Sequence, residues 1–279
     1  MIHTSRQLKA LVRNIAKGDS ARAQVIIRNY VMERFLERLS LSKYRSNLIL
    51  KGGTLVAAMV GLDNRSTMDL DTTLKKLPLN ETTARSVVTD IIGVQIEDGM
   101  TFEIKSVSQI MDEADYPGIR LMLDATLESM HTPLKIDFST NDVITPQETP
   151  YAFRLSFEDR SISVLAYNLE TVLAEKLETL LSRGTANTRM RDFYDIHILT
   201  NTQSQNINYT TLKAAFRGTC SKRGSLILLP DADLILQEIS ESASMIGLWQ
   251  SYQRKYQYAS KVSWDDIMKS VRVLAEIVK

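Results

Sequence analysis

Apolar residues recur at helical spacing over 5–17 and 21–40. In the second stretch Val25, Met32, Phe35, Leu36 and Leu39 fall on one side, with Ser20 placed to cap the start. Leu48-Ile49-Leu50 reads as a short buried strand ending at Gly52-Gly53. Thr54 to Val60 reads as a helix closed by Gly61. Met68 to Thr73 alternates as a strand, and Asn80 to Asp90 forms a helix with Asn80 as its cap. Strand patterns follow at Phe102–Val107, Ile119–Leu127 and Pro133–Phe138, the last two joined by the turn Glu128-Ser129-Met130-His131. Thr145-Pro146 and Thr149-Pro150 punctuate a loop, and from Leu169 onward the pattern is helical. These elements predict an α+β protein: mixed strands and helices over 1–165, then a helical domain over 166–279.

With 279 residues, 44% of them hydrophobic and 24% charged, the chain can bury one large core or two modest ones. A single cysteine, Cys220, excludes a disulfide framework and a cysteine-based metal site. The start Met1-Ile2-His3-Thr4-Ser5-Arg6 lacks the apolar centre of a signal peptide. No apolar run is long enough to span a bilayer, so a cytoplasmic protein with no membrane partner is expected. The net charge of +1 hides an asymmetry. Residues 1–45 hold ten Lys/Arg against three acids, an excess of seven positive charges, so the remainder carries −6. A basic face there could meet nucleic acid; the alternative is an ordinary solvated helix face.

Asp69 and Asp71 change the picture most. Two apart on a strand, they point to one side. Like charges that close need a cation or a shared proton, and Mg²⁺ is the natural cation beside phosphate. Upstream, the glycines of Lys51-Gly52-Gly53-Thr54 allow a tight strand-to-helix turn whose N–H groups attract phosphate. If the strand is regular back to residue 65, Arg65, Thr67, Asp69 and Asp71 share a face: one cation, one hydroxyl and two carboxylates. Asp137 lies inside the apolar strand Leu134-Lys135-Ile136-Asp137-Phe138, where a carboxylate is costly unless bound. It would complete a metal triad with Asp69 and Asp71, or else pair with a Lys or Arg.

In the helix after Asn168, Lys176 sits in the middle of the stripe Leu169, Val172, Leu173, Leu177, Leu180 and Leu181. An ammonium on a core-facing side needs an anion, either a triphosphate or Asp192 or Asp195. Asp192 and Asp195 share a helix face, and Arg191 and Asp195 are spaced to pair. Arg183, Arg189 and Arg191 bracket the preceding turn. Two C-terminal patches are cationic. Lys213, Arg217, Lys222 and Arg223 form one; Trp249, Tyr252, Arg254, Lys255, Tyr256, Tyr258 and Lys261 interleave aromatics with cations as a base-stacking surface would, or as a core would. His3, His131 and His197 are scattered without ligand or triad spacing.

In order and spacing, Lys51-Gly52-Gly53-Thr54, Arg65-x-Thr67-x-Asp69-Leu70-Asp71, Leu134-Lys135-Ile136-Asp137, Ala174-Glu175-Lys176-Leu177-Glu178 and Arg191-Asp192-Phe193-Tyr194-Asp195 resemble the AbiEii/AbiGii nucleotidyltransferase toxins. These belong to type IV abortive-infection modules and include the MenT-like toxins. The resemblance covers about 45–200. It implies a DNA polymerase β-like nucleotidyltransferase core followed by a helical domain. It implies a nucleoside triphosphate (NTP) substrate with Mg²⁺, transfer of nucleotide to the 3′ end of tRNA with arrest of translation and growth, and a co-encoded antitoxin. Carried over by position, Asp69 and Asp71 would hold metal with Asp137, and Lys176 would contact the triphosphate. Asp192 or Asp195 would be the later aspartate of the family pattern. Gly52, Gly53, Thr54, Arg65, Thr67 and Asp195 would then line the nucleotide, with Asp192 among the catalytic groups. The turn departs from the Gly-Ser form of the wider fold. Two other acceptor classes fit the same residues: a nucleotidyltransferase modifying a protein or small molecule, and a non-catalytic nucleotide-binding module.

Overall fold

A computed structural model describes residues 1–110 and 118–279. The chain divides into two compact units. One comprises Met1–Leu62, Ser66–Asp142 and Thr149–Ala166; the other comprises Asp63–Arg65, Val143–Glu148 and Tyr167–Lys279.

The first unit opens with helices α1 (Ser5–Ala16) and α2 (Ser20–Leu41), followed by β1 (Leu48–Lys51), α3 (Gly52–Val60), β2 (Asp69–Leu74) and α4 (Glu81–Ile92). It continues with β3 (Met100–Ile110), β4 (Gly118–Leu127), β5 (Met130–Ser139), β6 (Thr149–Arg154) and β7 (Ser161–Ala166). Among the described residues these strands form one mixed sheet in the order β3-β4-β5-β2-β1-β7-β6. β2 runs antiparallel to β1 and parallel to β5.

The chemistry of the sequence explains most of this. Asp19, rather than Ser20, caps α2, its carboxylate accepting from Arg22 N at 3.0 Å. Asn80 caps α4 as its spacing predicts. The 145–150 loop ends earlier than expected, because Thr149 and Pro150 already belong to β6. That strand lies at the sheet edge, where a missing N–H costs no ladder bond.

α2 is buried across its whole width from Asn29 to Leu39, charged residues included. Arg34 meets Glu37 and Glu158 at 2.9 and 3.1 Å; Arg38 forks onto Asp98 at 2.7 and 2.8 Å; Arg160 reaches Glu37 at 2.6 Å. Part of the N-terminal basic excess is therefore internal and compensated. Arg34 and Arg38 offer nothing to an external nucleic acid.

The second unit holds α5 (Leu169–Arg183), α6 (Met190–Thr202), α7 (Tyr209–Arg223), α8 (Ala232–Glu241), α9 (Ala243–Lys255) and α10 (Trp264–Val278). Asn168 caps α5 through Thr171 N at 2.8 Å, and Ser263 opens α10 with a capping box to Asp266. No helix among the described residues is long and apolar enough to cross a membrane.

Candidate active site

In the first unit β2 alternates as its sequence requires. Leu70, Thr72 and Leu74 are buried on one face, which leaves Asp69, Asp71 and Thr73 on the other. β5 does the same, burying Leu134, Ile136 and Phe138 and presenting Lys135, Asp137 and Ser139. The parallel register sets Asp69 against Lys135, Asp71 against Asp137, and Thr73 against Ser139. On the flanks β1 places Lys51 opposite Asp71, and β4 places Arg120 opposite Asp137. One row across four strands thus reads Lys51, Asp71, Asp137, Arg120: two acids inside, a cation at each end.

The cations do not share themselves evenly. Arg120 forks onto Asp137 at 2.8 and 2.7 Å, and Lys135 binds Asp69 at 2.5 Å. Lys51 gives its ammonium to Asp142 at 2.6 Å, and Asp142 also accepts from Thr73 and, at 2.7 Å, from Ser139. These contacts hold the Asp142 carboxyl well below the usual range despite burial. Asp71 accepts only a long bond from Gly53 N, 3.4 Å, in the way of hydrogen bonds from the turn. Burial pushes its carboxyl up; Lys51 opposes this, while Asp137 and Asp69 add to it. Asp71 is thus the under-compensated acid of the row.

Gly52 adopts φ +64, and a Cβ there would lie 2.7 Å from Asp71 Cβ and collide with the carboxylate. The glycine is required for both reasons: positive φ and close approach. α3 starts at Gly52, so its first N–H groups open beside Asp71. Thr54 does not face that opening. It is 1% exposed, and its hydroxyl donates to Asp69 O at 2.7 Å, pinning the strand.

The expected extension of β2 back to residue 65 does not form. β2 begins at Asp69, and Thr67 lies in the preceding loop with Oγ1 3.4 Å from Asp69 O. Arg65 belongs to the second unit. It is 4% exposed and forks onto Asp195 at 2.6 and 3.3 Å. The period-2 reading fails because Arg65 turns to Asp195 and the strand begins only at Asp69.

In the second unit Lys176, 11% exposed, lies between Asp192 and Asp195 at 2.7 and 2.8 Å. Burial opposes its charge, but the two carboxylates outweigh it and the ammonium's pKa stands above normal. Asp195, likewise buried, is held below normal by Arg65 and Lys176. Arg189 adds a contact to Asp192 at 3.1 Å. Of the two anions that the sequence allows for Lys176, the structure supplies the carboxylates. Tyr194, next to Asp195, donates its hydroxyl to Asn64 O at 2.7 Å and so holds the segment that carries Arg65. In the cationic patch of α7, Arg223 pairs with Glu178 at 2.5 Å.

Among the described residues no group of three or more His, Cys, Asp or Glu stands arranged to hold a metal ion. The donors of the first unit nonetheless suit a hard divalent cation. They are all carboxylate oxygens, one of them is under-compensated, and the two that are paired, Asp69 and Asp137, are held by long flexible side chains able to swing away. Sequence reasoning missed Asp142, Arg120 and the role of Lys51, each joined to its partner only by sheet register.

Residues 34–270 match the family described as nucleotidyl transferase AbiEii toxin, type IV TA system. No curated protein matches. Two solved structures share the fold. A protein described as a candidate nucleotidyltransferase from Helicobacter pylori is 16% identical with TM-score 0.51, over 91% of this chain and 94% of that one. JHP933 from the same organism is 15% identical with TM-score 0.52, over 91% of each chain. The expected α+β class is what the structure has, and both of these solved structures share its fold. With its glycine turn and its paired strand aspartates in the matched span, the chain belongs to the AbiEii family of type IV toxin nucleotidyltransferases.

Proposed function

We propose that this enzyme transfers a nucleotide from an NTP to RNA, at the 3′ end of tRNA, and so stops translation, with a co-encoded antitoxin opposing it. A hydroxyl of the acceptor attacks the α-phosphorus and gives its proton to a carboxylate of the site, Asp137; the new O–P bond forms as the bond to pyrophosphate breaks and pyrophosphate leaves. The observation that carries this reading is the register of Asp71 with Asp137, two places from Asp69 and against the Gly52–Gly53 helix start. Asp69, Asp71 and Asp137 would hold Mg²⁺. When bound, it neutralises charge on the phosphates and polarises the reacting oxygens. The N–H groups of Gly52 and Gly53 receive phosphate.

In the second unit Asp192 and Asp195 act by holding Lys176 and Arg65 in place. Thr54 serves the backbone at Asp69, and Thr67, half-buried in the loop before β2, stays among the residues that line the nucleotide in this reading.

The test is incorporation of labelled nucleotide into total RNA with each of the four NTPs. Mg²⁺-dependent labelling of an RNA band, abolished in Asp69→Ala, is expected. Labelling unchanged in that variant would refute the assignment of Asp69. Label found on protein or a small molecule would replace RNA as the acceptor.

A further inference from the structure

Residues 242–263 contain no acid and three cations, Arg254, Lys255 and Lys261, all exposed. The aromatic residues of this segment divide into two sets. Trp249 is 1% exposed, donates its indole N–H to Val262 O at 3.1 Å and lies 6.5 Å from the Tyr194 ring; it is core. Tyr252, Tyr256 and Tyr258 stay half-exposed. Their rings gather at centroid distances of 4.6, 5.4 and 6.3 Å, and Lys255 Nζ lies 5.4 Å from the Tyr256 centroid. The hydroxyls of Tyr252 and Tyr258 meet at 2.9 Å, which fixes two of the rings against each other. Burial raises both phenol pKa values, so the pair stays neutral.

A core role accounts for Trp249. Tyr252 and Tyr258 also lean on that core, 5.4 Å from Trp249 and 4.9 Å from Tyr194 respectively, yet all three tyrosine rings remain partly exposed in a segment free of acids. Unpaired bases stack on such ring faces while neighbouring cations hold the phosphates. A duplex, whose bases are already stacked, has no face to offer.

We propose that Tyr252, Tyr256 and Tyr258, with the cations Arg254, Lys255 and Lys261, form a stacking site for unpaired bases of single-stranded RNA. This rests on the reading of the acceptor as RNA, and it adds where that acceptor is gripped.

The experiment uses the full chain and a single-stranded RNA of about ten nucleotides carrying 2-aminopurine, without NTP. Quenching on binding is expected from stacking. Tyr256→Ala should weaken binding about tenfold, while Tyr256→Phe, which keeps the ring, should match the parent. Lys255→Ala and Lys261→Ala should each lower the salt slope by roughly one. Equal affinity of Tyr256→Ala and parent, equal affinity for a duplex of the same length, or displacement of the RNA by NTP alone would overturn the proposal. If the RNA binds and quenches as expected but total RNA is never labelled, the stacking site stands and the transfer reading fails.

Discussion

Asp71, half-buried, and Asp195, fully buried, are treated in opposite ways. Asp195 sits between Arg65 and Lys176, is fully buried, and is held below its ordinary pKa. Asp71 faces Asp137 across the register, lies near Asp69, and is pushed up. The nearest cation opposite it, Lys51, is directed to Asp142. One site has its charges closed among themselves; the other retains an acid in want of a cation. A folded chain gains nothing from the second arrangement alone, which is why the proposed function assigns the cation to it.

The comparison breaks first if Asp195 is replaced. Asp195→Ala removes the carboxylate that the buried Arg65 and Lys176 share, and should cost about 3–5 kcal/mol in urea denaturation. pH sharpens the same point. The Asp195 pKa is lowered on folding, so its contribution is present above the unfolded value of about 3.9 and is lost as pH falls through the folded one. The Lys176 pKa is raised, so its contribution is present below about 10.4 and is lost above that as pH rises through the folded value. Parent stability should therefore fall at both ends, and the Asp195→Ala profile should be flatter in acid. An unchanged acid limb would contradict the closed-cluster account.

Asp71→Asn should do the reverse. Removing an under-compensated charge should leave the urea midpoint unchanged or higher, while nucleotide incorporation falls at least about a hundredfold, equivalent to ~2.7 kcal/mol. Destabilisation on the scale of Asp195→Ala would show that Asp71 is structural after all.

How much of this was legible in the sequence depended on distance along the chain. Asp69 and Asp71 declare a shared face by alternation alone, and Lys176 betrays its burial by falling within a leucine stripe. Both are local signals. The pairing of Asp71 with Asp137 depends on a parallel register between residues 66 apart, and Lys51 finds Asp142 across 91 residues. No periodicity encodes either contact. Arg65 shows the opposite error: extending a local period past the true strand start placed it beside the wrong aspartates, when its partner is Asp195, 130 residues away. β6 went unread because Thr149-Pro150 reads as loop punctuation, although Pro150 lies within the strand.

Metal addition tests the open site more gently. A cation that binds the folded protein alone stabilises it by about 1.4 kcal/mol at ten times its dissociation constant. MgCl₂ should raise the parent's melting temperature accordingly and leave that of Asp71→Asn unmoved. Equal shifts in both would place the stabilising cation elsewhere.

Thr54 gives the finest discrimination, because it lies in the glycine turn yet points away from it. Its hydroxyl donates to Asp69 O at 2.7 Å and is buried beside Met32. Thr54→Ser keeps the donor, and should keep both stability and incorporation. Thr54→Val keeps the shape but leaves the Asp69 carbonyl short of a partner, at a cost of about 1 kcal/mol. If the hydroxyl only pins the strand, incorporation by Thr54→Val measured well below its unfolding range should fall little, and the KM for NTP should not move. A rise in that KM with stability intact would instead put Thr54 on the phosphates, and the turn would then contribute a side chain as well as its backbone.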